Sequence, residues 1–372
     1  MNPVSPPSLS QQPYDYVYYI WFMRFNALLN TLITVLVIYL IIKCTPKEME
    51  IYKWFLLNLS VCCYLLDMHL TVTFIPLLMF PTTVMCVLGA MSTFGRSALY
   101  VAWLIYIELL FFTGTSIFLA LLFRLAAIYG RAQLFKKKSV TFACIVLQLC
   151  FGLLLFFSNL RANPTEGQSL IYMQTNYPSL LPFYQSHTCV VMFVDNEELI
   201  RYTCTKLLPT LVLICSLICI VLVLIIRRLS MLKNSMFGRT YKMHKSLTIS
   251  LCIQFAVPTC MVFCAEICSG LSVAMFQVNL AHAIFYASYI FATMHTFVSG
   301  IIMIALVKPY RKACAGIVSS LFQEIHRRQT KPSDLSLVVG TSSSNFRNVI
   351  VKPNGMLPKH FLDNSRLYER KK

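Results

Sequence analysis

Charge is scarce in this chain, acid scarcer still, and glycine is thin. Of its 372 residues 12% are charged, with 14 Asp or Glu against 32 Lys or Arg, and only 12 are glycine. With 57% hydrophobic residues and a mean hydropathy of +0.67, too few polar groups remain to cover a water-soluble domain of this size. The shortage of glycine, the lack of a visible internal repeat and the absence of rings of like charge argue against a transporter or channel. No Gly-x-Gly-Asp, His-Glu-x-x-His or Gly-x-Ser-x-Gly motif is present, so no catalytic residue is expected, and neither a metal site nor a cofactor. The net charge of +18 comes without zinc-ligand spacing, an RNP-like aromatic motif or a Gly-rich basic arm, which excludes nucleic acid as the expected partner. Residues 1–19 hold no Lys or Arg and no short apolar core with a cleavage site, so the first long apolar run is expected to target the chain itself.

What the chain has is long apolar runs, each about the roughly 20 residues that span a bilayer. Bounded by charge or turn residues, they fall at about 20–42, 54–80, 98–123, 139–158, 204–226, 246–268 and 280–307. Backbone polar groups in hydrocarbon must be satisfied within the segment, so these runs predict helices. The expectation is an all-α membrane protein, a seven-transmembrane helix bundle. Its sidedness follows from the basic residues, which are retained near the cytoplasmic ends of spans. With the N-terminus outside and the C-terminus inside, segments 43–53, 124–138, 227–245 and 308–372 hold 27 of the 32 basic residues. Only Arg24, Arg96, Arg161, Arg201 and Lys206 fall elsewhere.

The organisation expected is an extracellular N-terminus over 1–19, a membrane domain over 20–307, an amphipathic cytoplasmic helix over 308–328 and a disordered tail over 329–372. The outer segment 159–203 contains Pro164, Gly167, Pro178, Pro182 and the acids Asp195, Glu197 and Glu198, and reads as an irregular lid. In 308–328, Ile317, Leu321, Phe322 and Ile325 form an apolar stripe beside Arg311, Lys312, Arg327 and Arg328, the pattern of a helix lying on anionic membrane lipid. Cys314 stands where an acyl chain would reach the membrane, an unmodified thiol being the alternative.

Polar groups inside spans are costly and so carry information. At about 1.5 Å per residue, Asn30, Asp67 and His295 each lie roughly 20 Å from the cytoplasmic end of their spans, with Ser299 one turn from His295. Two readings stand: a polar hub that repacks when the bundle changes state, or plain helix-to-helix glue. Pro76, Pro209 and Pro258 are expected to bend the second, fifth and sixth helices. Arg124 closes the third span, as a state-dependent contact or as a marker of the membrane edge.

These residues resemble a known family. The stretch Cys44-Thr45-Pro46-Lys47-Glu48-Met49, followed by Lys53, Leu56-Leu57-Asn58 and Asp67, is similar to a block of the nematode serpentine chemoreceptors of the Str superfamily, classes h and i being nearest. Pro76 to Pro81, Phe123-Arg124, the run Tyr241 to Leu247 with Gln254, and Pro309-Tyr310-Arg311 fit class i slightly better. The resemblance covers roughly 20–315 in a fixed order of short motifs. It implies a G-protein-coupled receptor that senses a small-molecule odorant or pheromone, couples to a heterotrimeric G protein and resides in the plasma membrane of a sensory-neuron cilium. The chain lacks the Asp-Arg-Tyr and Asn-Pro-x-x-Tyr motifs of rhodopsin-like receptors.

Within that frame a ligand from outside would enter between the third, fifth, sixth and seventh helices. The candidates are Glu108 with Trp103, Tyr106 and Leu110 on the third helix, Glu266 on the sixth, and His282 and Tyr286 on the seventh. For Glu108 the competing reading is a neutral carboxyl hydrogen-bonded between helices. On the inner face Arg124, Arg131, Arg239, Lys245 and Arg311 would meet the G protein, and Ser342, Ser343 and Ser344 would be phosphorylated for an arrestin-like partner. Of 15 cysteines few face the oxidising side; Cys86 and Cys189 form the expected disulfide, with Cys204 or Cys268 as a substitute partner. Asn58-Leu59-Ser60 fits the glycosylation pattern but lies on the inner side, so no N-glycan is expected.

Overall fold

The computed structural model describes most of the chain from residue 16 to 329, leaving out 47–49, 80, 81, 83, 161–163, 193–204, 206, 207, 235–240, 242–244, 247, 250, 254, 258 and 262–277. The first four spans are α1 (Tyr16–Cys44), α2 (Glu50–Met68, continued by a π-helical turn His69–Phe74), α3 (Arg96–Ile128) and α4 (Lys138–Leu160). Two short lid helices follow, α5 (Glu166–Asn176) and α6 (Leu181–Ser186). The fifth span is α7 (Leu208–Met231), and α8 (Leu251–Met261) is an apolar part of the sixth. The seventh is α9 (Val278–Thr293) with α10 (His295–Leu306), and α11 (Lys308–Gln329) runs on from it. Five of these spans, the seventh taken across both its halves, are long and apolar enough to cross a membrane on their described residues alone. By its contacts the chain divides into two units, Met1–Phe322 and Gln323–Lys372, the second described only to the end of α11.

The third span is the axis of the bundle, packed against α2, α4 and α7, while α1 packs against α2 and both halves of the seventh span. One stripe of α1, Trp21, Phe25, Leu28, Leu32, Val35, Tyr39 and Ile42, stays exposed. Its spacing of four and three residues is a single helix face, which suits it to lipid. Gly300 of α10 permits the close approach of the first and seventh spans: a Cβ there would lie 2.7 Å from Cγ1 of Ile33.

The described spans depart from the expected ones in two places, and the first has a clear physical cause. The second helix does not run to residue 80 with a kink at Pro76; it ends at Phe74, and Pro76 opens a strand. Proline has no N–H to donate and excludes the α-helical conformation from the residue before it. The last turn therefore loosens to a π-helix, with the Ile75 amide reaching the Leu70 carbonyl at 3.1 Å, and Ile75 takes a left-handed conformation (φ 38°, ψ 77°). For a β-branched residue that conformation costs on the order of 1–3 kcal/mol. Gly89 braces the turn, lying so near that a Cβ on it would fall 2.4 Å from the Thr73 carbonyl oxygen. Pro209 is the second residue of the described part of the fifth helix, and 206 and 207 before it lie outside the described residues. Pro258 lies outside the described residues. The seventh span, expected as one helix, breaks at Met294.

The chain after Ile75 adds a small sheet to an otherwise helical fold. Strands β1 (Pro76–Met79), β2 (Val84–Val87) and β3 (Cys189–Val191) pair antiparallel in that order, with Leu77 opposite Cys86 and Cys86 opposite Cys189. Cys86 and Cys189 are bonded to each other, both fully buried. The lid is thus more ordered than an irregular loop. Its sheet and lid helices share a core of their own, including Leu77, Val84, Met173, Tyr184 and Val191. Helix α5 starts in a capping box: the Gln168 amide donates to Thr165 Oγ1 (3.3 Å) and the Thr165 amide to Gln168 Oε1 (2.8 Å). Arg96 at the head of α3 ties the lid down through Glu166 Oε1 (2.6 Å), the Tyr184 carbonyl (3.4 Å) and the Tyr184 ring, 4.6 Å from the guanidinium.

Candidate functional site

The polar residues placed at one depth by helical rise meet in space. Asn30 and Asp67 are fully buried and His295 is 1% exposed. Asn30 Nδ2 donates to Asp67 Oδ2 at 3.1 Å and to the Thr293 carbonyl at 2.9 Å. One turn outward, Asn26 Nδ2 donates to Thr293 Oγ1 at 2.8 Å. The Nδ1 of His295 is 2.8 Å from the Ala292 carbonyl, which only accepts, so this nitrogen carries the proton. It lies 3.2 Å from Asp67 Oδ1, close enough for electrostatic attraction although the angle is not that of a hydrogen bond. Three helices are thereby joined at the point where the seventh breaks, and Asn30 takes up the Thr293 carbonyl there. Ser299 stands apart: its hydroxyl has no partner among the described residues, and the residue lines a cavity one turn further in.

A second polar cluster, which the depth argument missed, joins the second, third and fourth spans. Asn58 Nδ2 and Gln148 Nε2 each donate to Ser116 Oγ at 2.9 Å, Gln148 also reaches the Phe112 carbonyl at 3.2 Å, and the Ser116 hydroxyl points to Cys62 Sγ at 3.3 Å. Asn58 and Gln148 were the sequence signal, since each is an amide inside an apolar run.

At the outer end the expected ligand residues separate. Trp103 and Tyr106 of α3 pack on each other (centroids 5.4 Å apart) and on Phe74 of the π-helical turn (6.5 and 6.3 Å). Phe74 in turn stacks on His69 at 5.6 Å, and the His69 ring is fixed by the Thr73 hydroxyl and the Ala102 carbonyl, both at 2.8 Å. Leu110, one turn below Tyr106, is half-buried against the main core. Tyr286 of α9 stacks on Tyr19 of α1 at 4.8 Å, and the Tyr19 hydroxyl donates to the Pro76 carbonyl at 3.1 Å, tying the first span to the sheet. Glu108 is two residues, some 200° of helix, from Tyr106 and one turn before Phe112, whose carbonyl faces Gln148 of α4. It therefore does not share the face of Trp103 and Tyr106. Glu266 lies outside the described residues, and of His282 only its place on α9 is described.

At the inner end Arg124 is buried. Its side chain, 3% exposed, lies over the Tyr52 ring with the guanidinium carbon 4.3 Å from the centroid, and Tyr310 is within electrostatic reach. Tyr52 and Phe55 of α2 stack on Phe123, and Phe135 meets Phe55 and Phe123 edge-on. From the fifth span, Arg228 lies over the Tyr129 ring at 4.8 Å. Tyr310, fully buried near the start of α11, shares a 2.8 Å hydrogen bond with Thr45, and burial pushes its phenol up to about 12, which keeps it neutral. Arg131 and Lys245 are exposed. So is Arg311, which caps the seventh span by donating to the Ala305 carbonyl at 3.0 Å. Arg239 lies outside the described residues. Among those residues no group of three His, Cys, Asp or Glu side chains is placed to hold a metal ion.

The arrangement of spans is that of a seven-helix receptor. It is similar in fold to the crystal structure of squid rhodopsin, with a TM-score of 0.50 at 11% identity over 86% of this chain and 92% of that one. No curated protein matches the sequence. The model of the family described as serpentine type 7TM GPCR chemoreceptor Srh matches residues 16–320, and the chain belongs to that family. It is therefore a multi-pass membrane protein and a chemosensory G-protein-coupled receptor. The lean of the short motifs toward class i does not enter this assignment.

Proposed function

We infer that the chain binds a small molecule, an odorant or pheromone, presented from outside and answers by driving nucleotide exchange on a heterotrimeric G protein at the plasma membrane of a sensory cilium. One observation carries the reading: Asn30, Asp67 and His295 converge, buried, at the break in the seventh span. An element broken at a polar joint has two ways to pack, and a ligand that prefers one of them shifts the population toward it. The inner half of that span leads through Val307 into α11, where Tyr310 sits beside Arg124. Movement of α10 then loosens the aromatic seat of Arg124 and opens the inner end to a G-protein helix, with Arg131, Lys245 and Arg311 around its rim and Arg239 as a further candidate contact. Trp103, Tyr106 and Leu110 with Tyr286 support an outer site that takes an apolar ligand, with Glu266 and His282 as further candidates; Glu108 serves as a polar contact toward the fourth span. Exposed Val318 and Phe322 on α11 suit membrane lipid, and the tail serines an arrestin-like partner.

A panel of volatile and pheromone-like molecules applied to cells that express the chain with a G-protein reporter tests this. At least one should raise nucleotide exchange in membranes from those cells and not in membranes lacking the chain. A ligand-evoked ion current without exchange would overturn it.

A further inference from the structure

We propose that the lipid-facing crevice between the inner halves of the second and fourth spans binds a phosphoinositide, a lipid whose headgroup carries phosphomonoesters. Two exposed stripes of the same spacing form its walls. On α2 they are Trp54, Val61 and Leu65, and on α4 Lys138, Ile145 and Leu149. Seven residues turn a helix by about 700°, within roughly 20° of two full turns, so each set is one helix face. The two faces lie side by side: Asn58, one turn from Trp54, donates to Gln148 Oε1 at 3.4 Å, and Gln148 precedes Leu149. Apolar walls of this kind suit an acyl chain.

The mouth of the crevice selects the headgroup. Lys53 Nζ lies over the Trp54 ring, 5.4 Å from its centroid. Phe135 meets Phe55 edge-on at 5.5 Å, which sets the exposed Lys136 and Lys137 beside the start of α2, and Lys138 follows as the first residue of α4. Among the described residues none of these four lysines has a carboxylate partner. The chain from 124 to 165 holds no Asp or Glu, and Glu50 is the one acid in the described first turn of α2. Because Lys138 heads a stripe that faces lipid, its ammonium meets headgroups rather than the space under the bundle where a G protein docks. A phosphomonoester carries about −1.5 to −2 charges at neutral pH, so a headgroup with two of them matches the patch. A serine lipid, with a single net charge, leaves most of it unmet. The site rests on the placement of two spans in a bilayer and stands whether or not a particular odorant or G protein is found.

Trp21→Phe with Trp103→Phe leaves Trp54 as the only tryptophan of the full-length receptor, whose fluorescence then reports on the crevice. The purified variant in phosphatidylcholine nanodiscs is titrated with phosphatidylinositol bisphosphate or phosphatidylserine, each with brominated acyl chains that quench the indole. The phosphoinositide should quench Trp54 to saturation, and phosphatidylserine, compared at equal total negative charge, should need roughly tenfold more for half the effect. Each lysine at a membrane surface is worth about a fivefold change in binding, so Lys138→Gln should raise the half-saturating amount about fivefold, and Lys136→Gln, Lys137→Gln and Lys138→Gln together on the order of 100-fold. Equal quenching by both lipids at equal charge would overturn the proposal, since diffuse surface charge would then account for the effect. Unchanged quenching in the triple variant would overturn it too and leave the lysines to the G protein. Should the tryptophan background fail to fold, mass spectrometry of the intact wild type and of Lys138→Gln counts bound lipid in the same comparison, and equal counts of the two lipids on the wild type overturn the proposal.

Discussion

Replacing Asp67 by Asn changes one oxygen to an amide nitrogen and leaves the shape intact, so it isolates the hydrogen-bond logic of the joint. Asp67 accepts from Asn30 on one oxygen, and the protonated Nδ1 of His295 lies 3.2 Å from the other. An asparagine offers one acceptor and one donor. Whichever way it turns, an N–H faces either Asn30 Nδ2 or the His295 N–H. A buried donor left in that position costs about 1–3 kcal/mol. If the joint exists only while the inner end is closed, the loss moves the closed-to-open ratio by roughly 5- to 150-fold. Ligand-independent nucleotide exchange should rise within that range, and Asp67→Ala, which takes from Asn30 one of its two acceptors and from His295 the carboxylate facing it, should raise it as well. The assay is basal exchange in membranes, normalised to receptor labelled at the cell surface. Both variants reaching the surface at wild-type density with unchanged basal exchange and an unchanged ligand dose-response would refute the reasoning; the cluster would then be glue that is the same in every state.

Two further perturbations follow from the same geometry. Cys86→Ser, Cys189→Ser and the double variant should each lose about 4–5 kcal/mol of stability, the value for a bond closing a loop of about a hundred residues, read as a lower melting temperature that reductant reproduces in wild type but not in the double variant. Tyr52→Leu removes the ring under Arg124, an attraction of about 0.5–2 kcal/mol, and should raise basal exchange roughly 2- to 30-fold. Tyr52→Phe keeps the ring and should fall between the two; equal exchange in all three would show that the ring does not hold the inner end closed.

Some of what the sequence left open was written in it. The Ile75-Pro76 step marks the end of a helix as plainly as a kink, and the choice between them depends on whether the following residues find strand partners. Val84 to Val87 provide those partners a few residues further on, and they are themselves paired with Cys189 to Val191 from about 100 residues away. Thr165 and Gln168 carry the spacing of a capping box, hidden among prolines that read as loop. The separation of Glu108 from Tyr106 was also readable from their two-residue spacing on one helix, whereas which neighbour Glu108 faces depends on how α3 is rotated against α4. That rotation is fixed by Gln148 and Ser116, two side chains from different helices.

The number of spans and their sidedness belong to the sequence, because lipid imposes its rules on each segment separately: a length matched to the bilayer, a backbone satisfied within the helix, and basic residues kept on one side. The common depth of Asn30, Asp67 and His295 was legible for the same reason, since rise along a helix is a local quantity. Rotation about each helix axis, the break at Met294 and the sheet over the outer end are settled only when helices pack on one another. They depend on contacts between residues far apart in the chain, whose partners no single segment specifies.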